Sequence, residues 1–230
     1  MKIVVIGGTG ILGSKVVDRL RDHGAEAVAA SPGTGVNTLT GEGLAEALTG
    51  ADVVVDVSNS PSFDDDPAIE FFTKSTTNLE AAANAAGVKH YVAVSIVGSD
   101  QLPESGYLRA KVAQEKLIEE SEIPYSIVRA TQFAEFADAI TASMTVGEEV
   151  RVPDALIQPI AAEDLAAEVA RVAEGEPLRG IKNIGGPQKI SFEQMAREVL
   201  ARKGEVKTVV VDPQAGYFGT PLSMNSLVTA

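Results

Sequence analysis

The sequence predicts an α/β protein built on a doubly wound parallel sheet. Three observations predict it. β-Branched runs alternate with segments of helical period through the first 130 residues, the rhythm of strand, crossover helix and parallel strand. The first run, Lys2 to Ile6, is short and β-branched, as suits a strand buried on both faces. A glycine-rich stretch, Gly7-Gly8-Thr9-Gly10-Ile11-Leu12-Gly13, joins the first run to the first helical segment.

Taken in order, Lys2 to Ile6 is the first strand. Gly10 to His23 carries Ile11, Val16, Val17 and Leu20 at helical spacing and stops at Gly24, a residue suited to a helix C-terminus. Ala25 to Ala30 reads as a second strand, Gly43 to Leu48 as a short helix and Asp52 to Val57 as a third strand. A long helix is expected over Pro67 to Ala86, closed by Gly87, then a strand over His90 to Ser95 and a helix over Leu108 to Glu120. Tyr125 to Arg129 completes a fifth strand. The rhythm weakens afterwards: helices are expected over Phe133 to Ser143 and Glu163 to Ala173, and a late strand over Val206 to Val211. Ser191-Phe192-Glu193-Gln194 has the form of a capping box opening a last helix to Lys203. The tail from Ser226 to Ala230 has no closing element and is expected to be loose.

Composition narrows the function. The chain has 230 residues, 45% hydrophobic and 22% charged, enough for a core without covalent staples. It has no cysteine and two histidines, His23 and His90, so disulfides and thiol catalysis are excluded and no metal site is expected. A formal net charge of −13 with no basic run argues against nucleic acid as a partner. No signal peptide or membrane span is read in the apolar segments, so the expected setting is cytoplasmic.

The glycine stretch fits G-x-G-x-x-G through Gly8, Gly10 and Gly13, and G-x-x-G-x-x-G through Gly7, Gly10 and Gly13. Either frame serves the same physics. Glycine permits the tight strand-to-helix turn and a close backbone approach to a pyrophosphate, which the helix N-terminus favours electrostatically. Gly7, Thr9, Gly10, Ile11, Leu12 and Gly13 are therefore candidate dinucleotide-binding residues. An NAD site usually ends the second strand with an acid for the ribose 2′-hydroxyl. Here that strand runs into Ser31-Pro32-Gly33-Thr34. The missing acid favours NADP (NADPH) over NAD, with Ser31 and Thr34 as hydroxyl donors, although no arginine stands beside them to complete a phosphate clamp.

A second constellation lies downstream. Tyr107 and Lys111 are four apart on one helical face, and Ser95 ends the fourth strand. A phenol has a reference pKa of about 10, and a neighbouring ammonium lowers it. Tyr107 is thus a candidate acid, Lys111 its activator and ribose ligand, and Ser95 the group that holds a carbonyl oxygen.

Gly7 to Gly13, with Ser95 twelve residues before Tyr107-x-x-x-Lys111, resembles the short-chain dehydrogenase/reductase superfamily. GGTGILG, the run YLRAKVAQEKLIEESEIPYSIVRATQF, Pro159-Ile160 with Glu163-Asp164-Leu165-Ala166, and Asn183-Ile184-Gly185-Gly186 resemble its atypical, NmrA-like NAD(P)-binding branch. The resemblance covers residues 1 to about 205. It implies a Rossmann-type sheet of order 3-2-1-4-5-6 or longer, in a single domain of residues 1–230 whose part from about 131 contributes a small C-terminal substrate lobe. It also implies a reductase acting on a small carbonyl or quinone-like substrate, as a monomer or homodimer. Some members of the branch lack the tyrosine and act as redox sensors or regulators, a competing reading here, and a cofactor-recycling epimerase or dehydratase is a third. The branch's best-known members carry a catalytic asparagine on the helix after the third strand, a role neither Asn78 nor Asn84 clearly fills.

Three weaker candidates remain. Ser58, in the run Ser58 to Phe63, is placed by the resemblance along the cofactor groove. Asp64-Asp65-Asp66 reads better as the acidic start of a helix than as a metal site. Thr131-Gln132-Phe133 falls at the carboxyl edge of the sheet, beside nicotinamide or substrate.

Overall fold

The computed structural model describes all residues from Met1 to Ala230. The chain runs β1 (Lys2–Ile6), α1 (Ile11–Asp22), β2 (Glu26–Ala30), α2 (Leu44–Leu48), β3 (Val53–Asp56), α3 (Asp65–Ala86), β4 (His90–Ile96), α4 (Gly106–Glu120) and β5 (Tyr125–Ala130). It continues through α5 (Ala137–Ser143), β6 (Thr145–Val146), β7 (Glu149–Val152), β8 (Leu156–Ile157), α6 (Ala162–Glu174), β9 (Gly180–Ile184), β10 (Ile190–Ser191), α7 (Phe192–Lys203), β11 (Thr208–Val211), β12 (Gly216–Tyr217) and β13 (Thr220–Pro221).

The main sheet has six strands in the order β2-β1-β3-β4-β5-β9, all parallel. Side chains alternate across it. Ile3 and Val5 of β1 pack with Val53, Val55, Val92 and Val128 under α1 and α6. Val4 and Ile6 pack with Val54, Tyr91 and Ile127 under α2, α3 and α4. Both faces are therefore buried, which is why the strands carry near-continuous apolar runs. Glu163 of α6 pairs with Lys15 and Arg19 of α1 and ties the two helices of one face together.

The expected order 3-2-1-4-5-6 is corrected. The third strand of the chain lies between β1 and β4, and β2 forms the edge. No strand forms outside β2, because residues 31–43 are bound up in turns and α2 follows directly. Pro32–Thr34 is a 3-10 turn, the Asn37 side chain accepts from the backbone of Leu39 at 2.9 Å, and Gly35, Gly41 and Gly43 all have positive φ. Left-handed glycines at this frequency break an extended run. On the opposite edge, β9 was not legible as a strand. It is half exposed, and Lys182 and Asn183 interrupt the apolar pattern a buried strand would show.

A third apolar cluster gathers α5, α7, β7 and β8 with Phe72, Tyr107 and Leu108. Ile96, the last residue of β4, packs against it, which sets this part of the chain beside the carboxyl ends of the strands. The helix expected over 133–143 divides into a 3-10 turn and α5, and the late strand is shorter, as β11. The tail expected to be loose is tied in: β12 and β13 form a hairpin, Leu227 is 1% exposed and it bridges Ile157. No helix is long and apolar enough to cross a membrane.

Glu80 is a weak point of the packing between α3 and α4. Its Oε1 is buried without a partner, and burial, with Glu120 nearby, pushes its carboxyl up to about 7. Between pH 4.5 and 7 the unfolded chain is ionised at this position while the folded chain holds a proton, so the group's contribution falls as pH rises. Glu80→Gln should raise Tm more at pH 8 than at pH 5, measured by paired thermal melts; equal shifts at both pH values would refute the assignment.

Candidate active site

The glycine loop leaves β1 through Gly7, whose φ of 77° suits no side chain and whose amide donates to Ala30 O at 2.8 Å. A Cβ at Gly13 would lie 2.1 Å from the Gly7 carbonyl oxygen, so α1 closes directly on the loop only because that residue is glycine. Gly10 is the extended N-cap of α1; no side chain caps the helix and no acid stands in its first turn. The first-turn amides are thus left for an anionic ligand. Thr9, Gly10 and Ile11 are exposed, while Leu12 and Gly13 are buried. Leu12 therefore belongs to the core by its side chain and offers a ligand only its backbone.

Ser31 follows β2 and is 6% exposed, with no partner for its hydroxyl. Thr34 is different. Its hydroxyl accepts from the Ser31 amide at 2.9 Å and donates to the Ser31 carbonyl at 3.0 Å, so it holds the turn rather than awaiting a ligand. Ser58 is likewise engaged: its amide and hydroxyl donate to Asp56 Oδ1 at 3.0 and 2.6 Å. The loop it starts nevertheless abuts the glycines, because a Cβ on Gly7 would meet Val57 O and Ser58 N at 3.0 Å.

Asp56, the last residue of β3, was not singled out from the sequence, yet it organises the site. Its Oδ2 accepts from Tyr91 at 3.2 Å and from Gln114 Nε2 at 3.0 Å. Gln114 in turn accepts a short hydrogen bond from Lys111. The Lys111 Nζ also donates to the Val94 carbonyl at 2.9 Å and lies 4.4 Å from the centre of the Phe72 ring. Burial lowers the Lys111 ammonium to about 8, with Asp56 and Glu115 opposing the fall.

Tyr107 stands on the same helix, one turn earlier. Its hydroxyl donates to Asn59 Oδ1 at 2.7 Å. The ring is stacked on Phe218 at 5.2 Å, with Phe63 edge-on at 5.0 Å and Phe72 at 6.0 Å. The expected activation by Lys111 is corrected: burial pushes the phenol up to about 12, against a lowering by Asn59. The ammonium does not reach the hydroxyl because Val94 and Gln114 hold it. No bond joins Ser95 to Tyr107 either. Ser95, next to Val94, is 3% exposed and its hydroxyl has no partner.

The asparagine beside the tyrosine comes from the loop after β3 and not from the following helix. Asn78 spends both its amide hydrogens on Thr38 O and Leu39 O, at 2.8 and 3.1 Å. Asn84 lies near the far end of α3, in a depression with Glu80 and Glu120. Asp65 of the acidic triplet pairs with Arg109 at 2.6 Å, a helix-start role. On the far side of Ser95, its register neighbour Arg129 bonds Glu115 through two nitrogens and reaches Asp100 at 2.9 Å, which draws the loop after β4 onto the sheet.

A dinucleotide fits this edge. Buried polar atoms normally find partners, yet Ser31 Oγ, Ser95 Oγ, Ser99 Oγ and Gln132 Oε1 have none. Ser95 is the penultimate residue of β4, and the other three follow the carboxyl ends of β2, β4 and β5, the side on which the glycine loop opens. Together they form a row of polar groups that an extended, hydrogen-bonding ligand would complete. Thr131 is not part of the row, since its hydroxyl donates to Gln158 O. Phe133 stacks on Phe136 at 5.4 Å.

A family model described as NAD(P)H-binding matches residues 7–176. The photosystem II assembly factor Ycf39 of Synechocystis sp. is 26% identical over 147 residues, 58% of this chain and 45% of that protein. The chain thus spans less than half the length of that curated relative. Among solved structures, the NADPH-dependent quinone oxidoreductase QOR2 of Escherichia coli, complexed with NADPH, superposes with a TM-score of 0.71 at 23% identity, over 91% of this chain and 77% of that one. A short-chain dehydrogenase/reductase superfamily protein of Agrobacterium tumefaciens with bound NAD gives 0.74 at 19% identity, over 92% and 85%. At these identities the structural likeness is one of fold.

Burial holds the Lys111 ammonium below its ordinary range, which links this group to stability through pH. Between pH 8 and 10.5 the unfolded chain holds a proton that the folded chain has released, so this group's contribution to stability rises with pH. Lys111→Met should lose the bonds to Val94 and Gln114 and should lack the parent's gain in stability between pH 8 and 10, measured by paired thermal melts. A variant that keeps the parent's full gain over that range would refute the assignment.

Proposed function

This chain belongs to the NAD(P)H-binding family, and from that premise we propose that it is an NADPH-dependent reductase of a small carbonyl or quinone-like compound. The observation that carries the reading is that Tyr107, bonded to Asn59 after β3, Lys111, bonded to Val94 of β4, and Ser95, with a buried unpartnered hydroxyl, gather at the carboxyl ends of two neighbouring strands. The bound dinucleotide would supply the hydride. Gly7, Gly10 and Gly13 shape the backbone that approaches the pyrophosphate, and Ser31 offers its hydroxyl to the adenosine ribose or its 2′-phosphate. Ser95 donates a hydrogen bond to the carbonyl oxygen of the substrate and holds it. Tyr107 gives that oxygen its proton. A phenol held well above neutral pH suits an acid, because it stays protonated until the accepting oxygen gains charge. Residues from about 131 onward supply the substrate lobe.

A second reading has its own support. The curated relative is an assembly factor, and the Tyr107 ring is covered by Phe63 and Phe218. A protein that binds NADP(H) and answers to its redox state through a partner would have no need of an open tyrosine.

Two measurements separate these readings. Tyr107→Phe should reduce NADPH oxidation at least about 100-fold with little change in NADPH affinity; full turnover would end the assignment, and no turnover by the parent across a carbonyl and quinone panel would favour the sensor. NADPH should bind more tightly than NADH by calorimetry, and Ser31→Asp should reverse the order, because a carboxylate repels the 2′-phosphate and accepts from a 2′-hydroxyl. Tighter NADH binding by the parent would overturn the reading of Ser31.

A further inference from the structure

The hairpin of β12 and β13 turns through Phe218 and Gly219, with φ of 50° and 74°. Two central residues at positive φ are the pattern of a type I′ turn, whose first position ordinarily holds Asn, Asp or Gly. Phenylalanine is a poor choice for that backbone. A residue held in an unfavourable conformation points to a contact that compensates it, and here the contact is the site itself. The Phe218 ring stacks on Tyr107 with an interplanar angle of 28° and lies 5.7 Å from Phe63.

The hairpin is anchored beside its tip and not through it. Tyr217 is 7% exposed and packs against Phe192 at 5.7 Å, and Thr220 is 2% exposed. The outer side is unsupported: an open cavity of about 580 Å³ there is walled only by Pro213, Gln214, Gly216, Gly219, Thr220 and Pro221, residues of the segment itself. Phe63, the other cover of Tyr107, is 56% exposed. The two rings that roof the tyrosine thus belong to a turn tip and a surface loop, while Phe72 beneath is fully buried.

We infer that Phe218 is a specificity-determining residue whose ring keeps the place of a flat, conjugated substrate ring over Tyr107, and that such a substrate enters by displacing it. The inference rests on the reductase reading for the fate of the substrate, but not for its binding. A ring stacked on Tyr107 between Phe63 and Phe72 gains the offset and edge contacts that Phe218 now makes, whereas a saturated ring gains no comparable stacking. A quinone or an aryl carbonyl is therefore preferred to an aliphatic ketone.

The test uses the full chain with ring-labelled tyrosine, the Tyr107 signal being assigned through Tyr107→Phe. The principal variant is Phe218→Asn, which removes the ring and suits the turn; Phe218→Gly is the second. In the parent, 1,4-naphthoquinone should move the Tyr107 signal, and cyclohexanone at the same concentration should not. Both variants should bind 1,4-naphthoquinone about tenfold more tightly, since no ring has to be displaced and one aromatic contact is of that order, while cyclohexanone gains less. The Tyr107 phenol should also titrate nearer to 10 in the variants. Unchanged or weaker quinone binding in both variants, or a Tyr107 signal unmoved by the quinone, overturns the inference. Quinone that binds in this manner but is not reduced by NADPH would sink the reductase reading and leave the place-keeping role of Phe218 standing.

Discussion

One buried carboxylate holds the candidate site together. Asp56 ends the central strand of the sheet at 2% exposure, where an acid without partners would be costly. It is satisfied from three directions: the Ser58 amide and hydroxyl, the Tyr91 hydroxyl and the Gln114 side chain. Two of these ties reach different parts of the site. The bond to Ser58 fixes the start of the loop that brings Asn59 to Tyr107. The bond to Gln114 orients the amide whose oxygen receives Lys111. Tyrosine and lysine, four residues apart on α4, are therefore registered against the same strand end from opposite sides. The field of Asp56 also favours the Lys111 cation, against the burial that lowers it.

What was legible in the sequence follows from how local each feature is. The strands and helices of the first half show because their apolar periods are local, and the glycine loop shows because steric demands at Gly7 and Gly13 admit no other residue. Ser31 was legible as an absence, since no acid occupies the end of β2. The edge position of β2 was not, because it depends on residues 31–43 failing to extend, a matter of several weak turn signals acting together. Asn59 and Asp56 were hidden for another reason. Their partners are 48 and 35 or 58 residues away, and no spacing rule within a helix or strand connects them. The orientation of Lys111 was misread on the same ground: sequence spacing places it on the face of Tyr107, while Val94 and Gln114 decide where its nitrogen points.

The two ends of the sheet differ in how their polar groups are treated. At the amino ends, Asp52 accepts from the Lys2 amide and from Lys89, both at 3.0 Å, and Ser126 bonds both His90 and the Leu178 amide. His90 Nδ1 is the exception there; burial lowers its imidazole to about 4, so the ring stays neutral and its unpaired nitrogen carries no charge penalty near neutral pH. At the carboxyl ends the balance reverses. Ser31, Ser95, Ser99 and Gln132 leave polar atoms unpaired, Lys111 is buried as a cation, and Phe218 adopts a backbone that favours other residues. Local rules are also broken at the amino end, where Arg179 before β9 has a φ of 49°, but the unpaired hydroxyls gather at the end that has to accept something. Departures of this kind concentrate at functional sites. Their extent from Ser31 after β2 to Gln132 after β5 matches a ligand that crosses β1, β3 and β4, the three strands between. An unpaired hydroxyl at one extreme and a covered tyrosine with an unpaired serine nearer the other set different demands on the two ends of such a ligand under the proposed reading: hydrogen bonding at Ser31, and access for a reacting ring beside Tyr107.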